Sequence, residues 1–513
     1  MMVFWRLVAF ILCLSVGHAW AFDSSTYRQN TYGGLPTKYC DPTKSLADNT
    51  GGGTSESDTY NLTQCQANAS PGDVIGILPG VGVTLTSTNN DNFPTFTPAT
   101  GGTNTTVRSG RIVFVTKYAA TALSSVATNP NRTELRHDGT APSIVGGVGA
   151  GTGSAMYGVN AKNYVTFDGF FVDVTHAYPK EDSGIVRAED ATGTHFRNFE
   201  IKGTNITMAS NAVLYRTNNV IDTIVSNFRI YDWHNDPTGS ATPQGGAWCD
   251  LYGDRNYLIE YFDVSNTDSG FFAKGTAPSN VNYNYGTIQY GIIRNMTNYN
   301  GSSWGMRFND FDNSNTTTVH HVLIYGIEGS GIALSSETTD PRNLLLHHVT
   351  VAKGSSTNAN GHGPVYIKDA ASMSSVTLRD NIFDHDSGTY GSMVDAGELV
   401  GAVMPTMNYN GYTKNGSTTT WSFNGGSSTT MANWRTASSQ EANSQVLTTP
   451  IFTDRTNNDY TIAAAHAALT ASSTGGEIGA YEGSINPGVD STAGSGTAVI
   501  SGNGTFIGSV RIQ

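Results

Sequence analysis

The sequence predicts an all-β chain wound as a right-handed parallel β-helix, a solenoid of stacked three-strand coils. Three observations predict it. Short apolar strands recur from about residue 160 to 385, no stretch there shows a sustained 3.6-residue apolar period, and hairpin turn signals between neighbouring strands are sparse.

The recurring unit has two parts. The segments NYVTFDGFFVDV (163–174), THFRNFEIKG (194–203), DTIVSNFRIYD (222–232) and NYLIEYFDVSN (256–266) each carry two apolar strands around a polar pair, often with Asn or Asp at the corner. YGTIQYGIIRNMTN (285–298), TVHHVLIYGIEG (318–329), RNLLLHHVTVAKG (342–354) and SVTLRDNIFDHD (375–386) continue the series. Between them falls a third strand, usually opened by a small residue: GFFAKG (270–275), GMRFND (305–310), GIALSS (331–336) and PVYIKD (364–369). Strands this short cannot bury a face alone, whereas stacking coil on coil buries a continuous apolar column.

The remaining composition fits an exported protein. Residues 1–21 have one cation at Arg6, an apolar run from Leu7 to Val16 and the small-residue site Ala19-Trp20-Ala21, the layout of a secretory signal peptide. The run is too short to span a bilayer, so the product is expected to be extracellular or periplasmic, with no membrane span. Residues 22–482 then form the β-helix, and 483–513 are a Gly/Ser-rich extension with no assigned role. A net charge of −13 excludes a general nucleic-acid binder and a polybasic membrane-surface protein. Only 13% of residues are charged while 10% are aromatic, which favours ordered β structure over disorder. Cys40 and Cys65 are candidates for a disulfide, Cys249 for a buried apolar position, and a monomer is expected.

The two ends add a resemblance. ANASPGDVIGILPG (67–80), GRIVFVTKY (110–118), APSIVGG (141–147) and NYVTFDGF (163–170) resemble the N-terminal region of bacterial right-handed β-helix proteins of the pectate-lyase-like superfamily. DNIF (380–383), NYNGY (408–412), a lone Trp434, TPIFTD (449–454), DYTI (459–462) and GEIGAYE (476–482) resemble their closing segment. The resemblance spans most of residues 36–482 and implies scaffold and superfamily rather than reaction.

In such a coil one sheet lies in a shallow groove, and side chains alternate inward and outward along each strand. Apolar residues set the phase: Phe271 and Ala273, Met306 and Phe308, Ile332 and Leu334, Val365 and Ile367, and Ala247 and Cys249 point in. Stacking is then expected to line Asp250, Lys274, Asn309, Ser335 and Lys368 into one outward column. Trp248, Phe272, Arg307, Ala333 and Tyr366 line the next, with Lys274 and Arg307 diagonal neighbours roughly 8 Å apart at Cα.

Lyases of this superfamily cleave uronic-acid polymers by β-elimination, and they similarly place Lys and Arg on this sheet in successive coils. The resemblance implies Lys274 as base and Arg307 as carboxylate binder or enolate stabiliser, with the two roles open to exchange. Trp248, Phe272, Asn309, Tyr366 and Lys368 are the expected contacts to an anionic polysaccharide substrate. Ca²⁺ is the implied cofactor, with Asp250, Asp254 and Asp268 as candidate ligands, although the paired-Asp calcium motif of pectate lyases is not cleanly matched.

Two alternatives stand beside this one. β-Helix hydrolases of the polygalacturonase type share fragments with Asn266-Thr267-Asp268, Gly361-His362-Gly363 and Ile367-Lys368, but their paired Asp-Asp is missing and Tyr366 stands where an arginine is expected. A non-catalytic glycan-binding or adhesin role is the other, since fold alone does not settle function. His320-His321 and His347-His348 each straddle a strand, so one of each pair is expected to be able to face the groove, in a structural rather than a metal-binding role.

Overall fold

In the computed structural model the chain is a parallel β-solenoid, as the repeats predict. The structure describes residues 26–45, 47–81, 98–117, 133–135, 157–173, 184–202, 205–206, 213–235, 247–267, 269–274, 284–296, 303–309, 315–335, 343–354, 362–368, 373–385, 392–397, 403–414, 420–423 and 425–481. The predicted signal peptide, the APSIVGG segment and the C-terminal extension lie outside these residues.

Each coil contributes one strand to an eleven-stranded sheet and a longer, bent strand to a nineteen-stranded one. Ser269–Lys274, for instance, is followed by Tyr285–Met296 and then by Trp304–Asn309. Successive coils pair in parallel, as in Phe271 with Met306 and Ile288 with Val319.

The bend is made at one residue per coil. Asn198, Asn227, Tyr261, Tyr290, His321, His348, Asp380 and Tyr409 all have φ between 50° and 59°. This left-handed conformation turns the chain between two faces, at roughly 1–2 kcal/mol per L-residue and less for Asn or Asp. The outside of the corner offsets that strain. Asn227 Nδ2 donates to Asn198 Oδ1 at 2.6 Å, and Asn198 Nδ2 donates to Asp168 Oδ1 at 2.6 Å. Further along rings replace amides: Tyr261 stacks on Tyr290 at 5.2 Å, Tyr290 on His321 at 5.4 Å, and His321 on His348 at 5.2 Å. His320 and His347 stack at 5.1 Å in the adjoining column. Both histidine pairs thus lie on the nineteen-stranded sheet and its corner, so neither pair offers a residue to the groove, contrary to the expectation above. Within one pair His320 Nδ1 lies 2.6 Å from His321 Nδ1, so each ring has a histidine partner, and among the described residues no three His, Cys, Asp or Glu could hold a metal.

The interior is a set of like-on-like columns. Phe114, Phe167 and Phe196 stack at 5.3 and 5.7 Å, and Phe170, Phe199, Phe228 and Phe262 at 4.9, 4.9 and 5.5 Å. The second column stops at Gly291, which pairs with Phe262; a Cβ there would fall 1.9 Å from Phe262 Cζ, so the ring occupies the space that a side chain would need.

Both ends of the solenoid are tied down. Cys40 and Cys65 are joined, as expected, linking the strand Lys38–Cys40 to the helix Leu62–Asn68, whose N-terminus carries an Asn61–Gln64 capping box. At the other end the helix Met431–Ser438 lays the fully buried Trp434 over Trp421 at 6.3 Å. Beside it Glu441 is buried and accepts from Tyr412 Oη, Ser444 Oγ and Asn410 Nδ2. Burial outweighs these hydrogen bonds and pushes its carboxyl up to about 7.

Gly291→Ala is expected to lower stability by about 1–3 kcal/mol through overpacking against Phe262, read as a lower urea midpoint at constant slope. For Glu441, a folded value above the ordinary 4.5 adds stability at acid pH that is lost as pH rises through about 7. Thermal melts across that window should show wild type losing stability relative to Glu441→Gln; parallel curves would show that the carboxyl does not titrate within it.

Candidate functional site

The outward face of the eleven-stranded sheet carries the candidate site. Phe271, Met306, Phe308, Ile332, Leu334, Val365 and Ile367 are all in the core, so the residues between them face away from it, in the phase that the sequence predicts. Register then sets the columns. Phe272, Arg307, Ala333, Tyr366, Asp395 and Ser422 follow one another coil by coil. Lys274, Asn309, Ser335 and Lys368 form the column beside them. Lys274 is therefore diagonal to Arg307 in the backbone register, while its side chain lies outside the described residues.

Several expectations change. Asp250 pairs with Phe272 rather than Lys274, and Trp248 falls level with Gly270; Tyr252 takes the place beside Lys274. A two-residue slip leaves every side chain on its own face, so alternation in Ala247–Tyr252 sets the phase but not the register. Phe272 and Asn309 face outward but are buried, at 4% and 0% exposure, so neither offers the open contact expected of it. Asp254 is fully buried at the turn after its strand, where Oδ1 accepts the Val220 N–H at 3.1 Å. Its Oδ1 is thus engaged in holding the turn. Asp268 lies outside the described residues, as do the side chains of Trp248 and Asp250. The described donors do not assemble a calcium site.

Arg307 is an organised cation of this face. Its guanidinium carbon sits 5.2 Å from the Phe272 ring centre and 5.1 Å from that of Trp304, and Nε donates to Ser335 Oγ at 3.0 Å. Phe272 and Trp304 belong to none of the core clusters, and together they wall the half-buried guanidinium from outside the solenoid interior. Aromatic faces attract a cation, and a guanidinium held in one plane suits bidentate contact with a carboxylate.

Two coils further along lies a second polar cluster. His362 Nδ1 is 2.7 Å from Asp395 Oδ2, and the imidazole lies flat on Tyr366 with ring centres 3.4 Å apart. Ser422 Oγ and the Gly397 N–H donate to Asp395 Oδ1 at 2.6 and 3.3 Å. Burial pushes the Asp395 carboxyl up, but hydrogen bonds from His362 and Ser422 outweigh it and hold the carboxyl below its ordinary value. Tyr366 is half-buried and Lys368 exposed, both on the outward face expected of them.

The hydrolase fragments do not converge. Thr267 is buried on the other sheet with Oγ1 on Met296 Sδ, while His362 and Lys368 lie on the groove sheet. Asp250 and Asp395 share a column five coils apart, roughly 24 Å at the strand spacing. Flanking carboxyls of an inverting hydrolase sit at only ~6.5–9.5 Å. Sequence reasoning passed over Trp304, which opens its strand just before the residues that set the phase, and Asp395 and Ser422, whose strands are three residues long. His362 stands within Gly361-His362-Gly363, one of the fragments shared with the hydrolases.

No family model and no curated protein matches the chain. Among solved structures it is similar to the pectate lyase Pel9A, at 12% identity and a TM-score of 0.41 over 88% of this chain and 97% of that one. It is also similar to a rhamnogalacturonan lyase, at 12% identity and a TM-score of 0.38 over 73% and 87% of the two chains.

A carboxyl held below its ordinary value stabilises the fold above its unfolded pKa and ceases to do so as pH falls through the folded one. Asp395→Asn should therefore cost about 1 kcal/mol at neutral pH, the worth of a hydrogen bond, and progressively less below about pH 4. Urea midpoints at the two extremes check this; equal losses at both would show that the charge of Asp395 contributes nothing.

Proposed function

We propose that the protein is an exported polysaccharide lyase that cleaves an anionic, uronic-acid-containing polymer by β-elimination. One observation carries the reading: Arg307 is held between Phe272, Trp304 and Ser335 on the outward face, with Lys274 on the diagonal position of the preceding coil. A solvated surface arginine needs no such wall. A guanidinium that binds a carboxylate gains from one, because removal from water strengthens its interaction with an anion.

In this reading the uronate carboxyl lies against Arg307 and the Lys274 amine takes the proton α to that carboxyl. A neighbouring guanidinium favours the neutral amine that such a base needs. The C–H electrons form the new C=C bond as the glycosidic C–O bond breaks, and the departing oxygen takes a proton from water. Arg307 stabilises the charge that builds on the carboxyl oxygens. Tyr366 and Lys368 extend the contact along the next coils. Export is supported by the N-terminal leader pattern and by the Cys40–Cys65 bridge, a bond of oxidising compartments. Among the described residues no helix is long and apolar enough to cross a membrane.

Ultraviolet absorbance of unsaturated uronate products, measured over a panel of acidic polysaccharides, tests the proposal. Wild type should form such products from at least one polymer, Lys274→Ala should lose at least about 10²-fold in rate, and Arg307→Ala about 10²–10³-fold. Arg307→Lys, which keeps the charge but not the planar fork, should recover little of the loss. A chelator titration reads whether calcium contributes. Binding without new double bonds or new reducing ends would favour a glycan-binding role instead.

A further inference from the structure

His362 takes no part in the elimination, yet it is firmly placed beside the outward face. Asp395 holds its Nδ1, Tyr366 supports its ring, and Ser422 with the Gly397 N–H fixes Asp395 in turn. The side chain still keeps 31% of its surface open. A histidine oriented through Nδ1 by a carboxylate presents Nε2 on the far side of its ring. When neutral, Nδ1–H donates to Asp395 and Nε2 is a bare acceptor; when protonated, Nε2–H becomes a charged donor. Nε2 thus exchanges roles between the two protonation states.

The surroundings favour an anion in the second state. Among the described residues, the titratable groups of the strands beside His362 are Asp395 on Val394–Ala396, and Tyr366 and Lys368 on Val365–Lys368. Asp395 balances the imidazolium charge, and Lys368 adds an exposed cation in the adjoining column. The Tyr366 position lies two coils from Arg307, roughly 10 Å along the column, a span of about two linked sugar rings.

We propose that His362, held on Tyr366 by Asp395, is a proton-gated subsite for a second carboxylate of the polymer that Arg307 binds. The proposal rests on the reading of this face as a uronate-binding groove. It makes the grip on an acidic chain tighten as pH falls, without touching the elimination step.

Calorimetric titration of the Lys274→Ala protein with hexamers of galacturonate, of guluronate and of neutral galactose tests it. At least one acidic hexamer should bind about tenfold more tightly at about pH 5.5 than at about pH 8, the worth of one charge-assisted hydrogen bond. In buffers of different ionisation enthalpy, that binding should take up protons near neutral pH. His362→Gln should abolish both effects and leave the alkaline affinity unchanged, and the neutral hexamer should show neither effect. In the protein with His362 intact, one histidine Cε1–H resonance should titrate differently with and without the acidic hexamer, a reading that needs no variant at position 362. Proton uptake that persists in His362→Gln, or equal pH dependence for the neutral hexamer, overturns the proposal. Cleavage by wild type with pH-independent binding overturns this subsite alone. His362-dependent binding without any unsaturated product overturns the lyase reading alone. Failure of every acidic hexamer to bind at either pH overturns both.

Discussion

The structure depends on parallel pairing held in register from one coil to the next. Strands spaced at ~4.8 Å put each residue directly against its counterparts in the coils before and after, so every side chain must pack with the one above and the one below. The phenylalanine stack from Phe170 to Phe262 obeys this, and its end at Gly291 shows the rule at its limit, because the last ring fills the place of the next side chain. The same constraint builds the outward face. Arg307 meets Phe272 because the register sets the two opposite each other in adjacent coils.

The corner shows how one backbone requirement admits different chemistry. Asn198 and Asn227 adopt the left-handed conformation at low cost and join through their amides, whereas Tyr261, Tyr290, His321 and His348 adopt it at greater cost and stack their rings. The stacking is worth about as much as the strain, since ring pairs contribute ~0.5–1.5 kcal/mol beyond their burial. Two histidines at the corner, each stacked on its counterpart in the next coil, are therefore explained by packing.

The solenoid was legible because period and phase are written in apolar residues. Ile332 and Leu334 in one coil, and Met306 and Phe308 in another, state which side faces in, and the structure agrees. Register was not legible where two apolar residues could exchange places two positions apart, as Cys249 and Leu251 did for Asp250. Burial on the outward side was illegible for another reason: alternation says which way Phe272 and Asn309 point but not what covers them. Asp395 escaped notice because its significance comes from His362, 33 residues earlier, and only coil stacking brings the two together.

Charge gives the last step. The chain is acidic, with a net charge of −13, so an acidic polymer is repelled until cations are concentrated at one place. Arg307 supplies a permanent charge, and its aromatic wall limits competition from water for an incoming carboxylate. His362 differs because Asp395 sits against it, so the pair carries one negative charge when the imidazole is neutral and none when it is protonated. Two coils from a fixed cation the face thus holds a group that repels a carboxylate in one protonation state and accepts it in the other. In the proposed reading, fixed charge at Arg307 would set where the polymer seats and conditional charge at His362 how firmly it stays; placing both on one atom would couple seating to release.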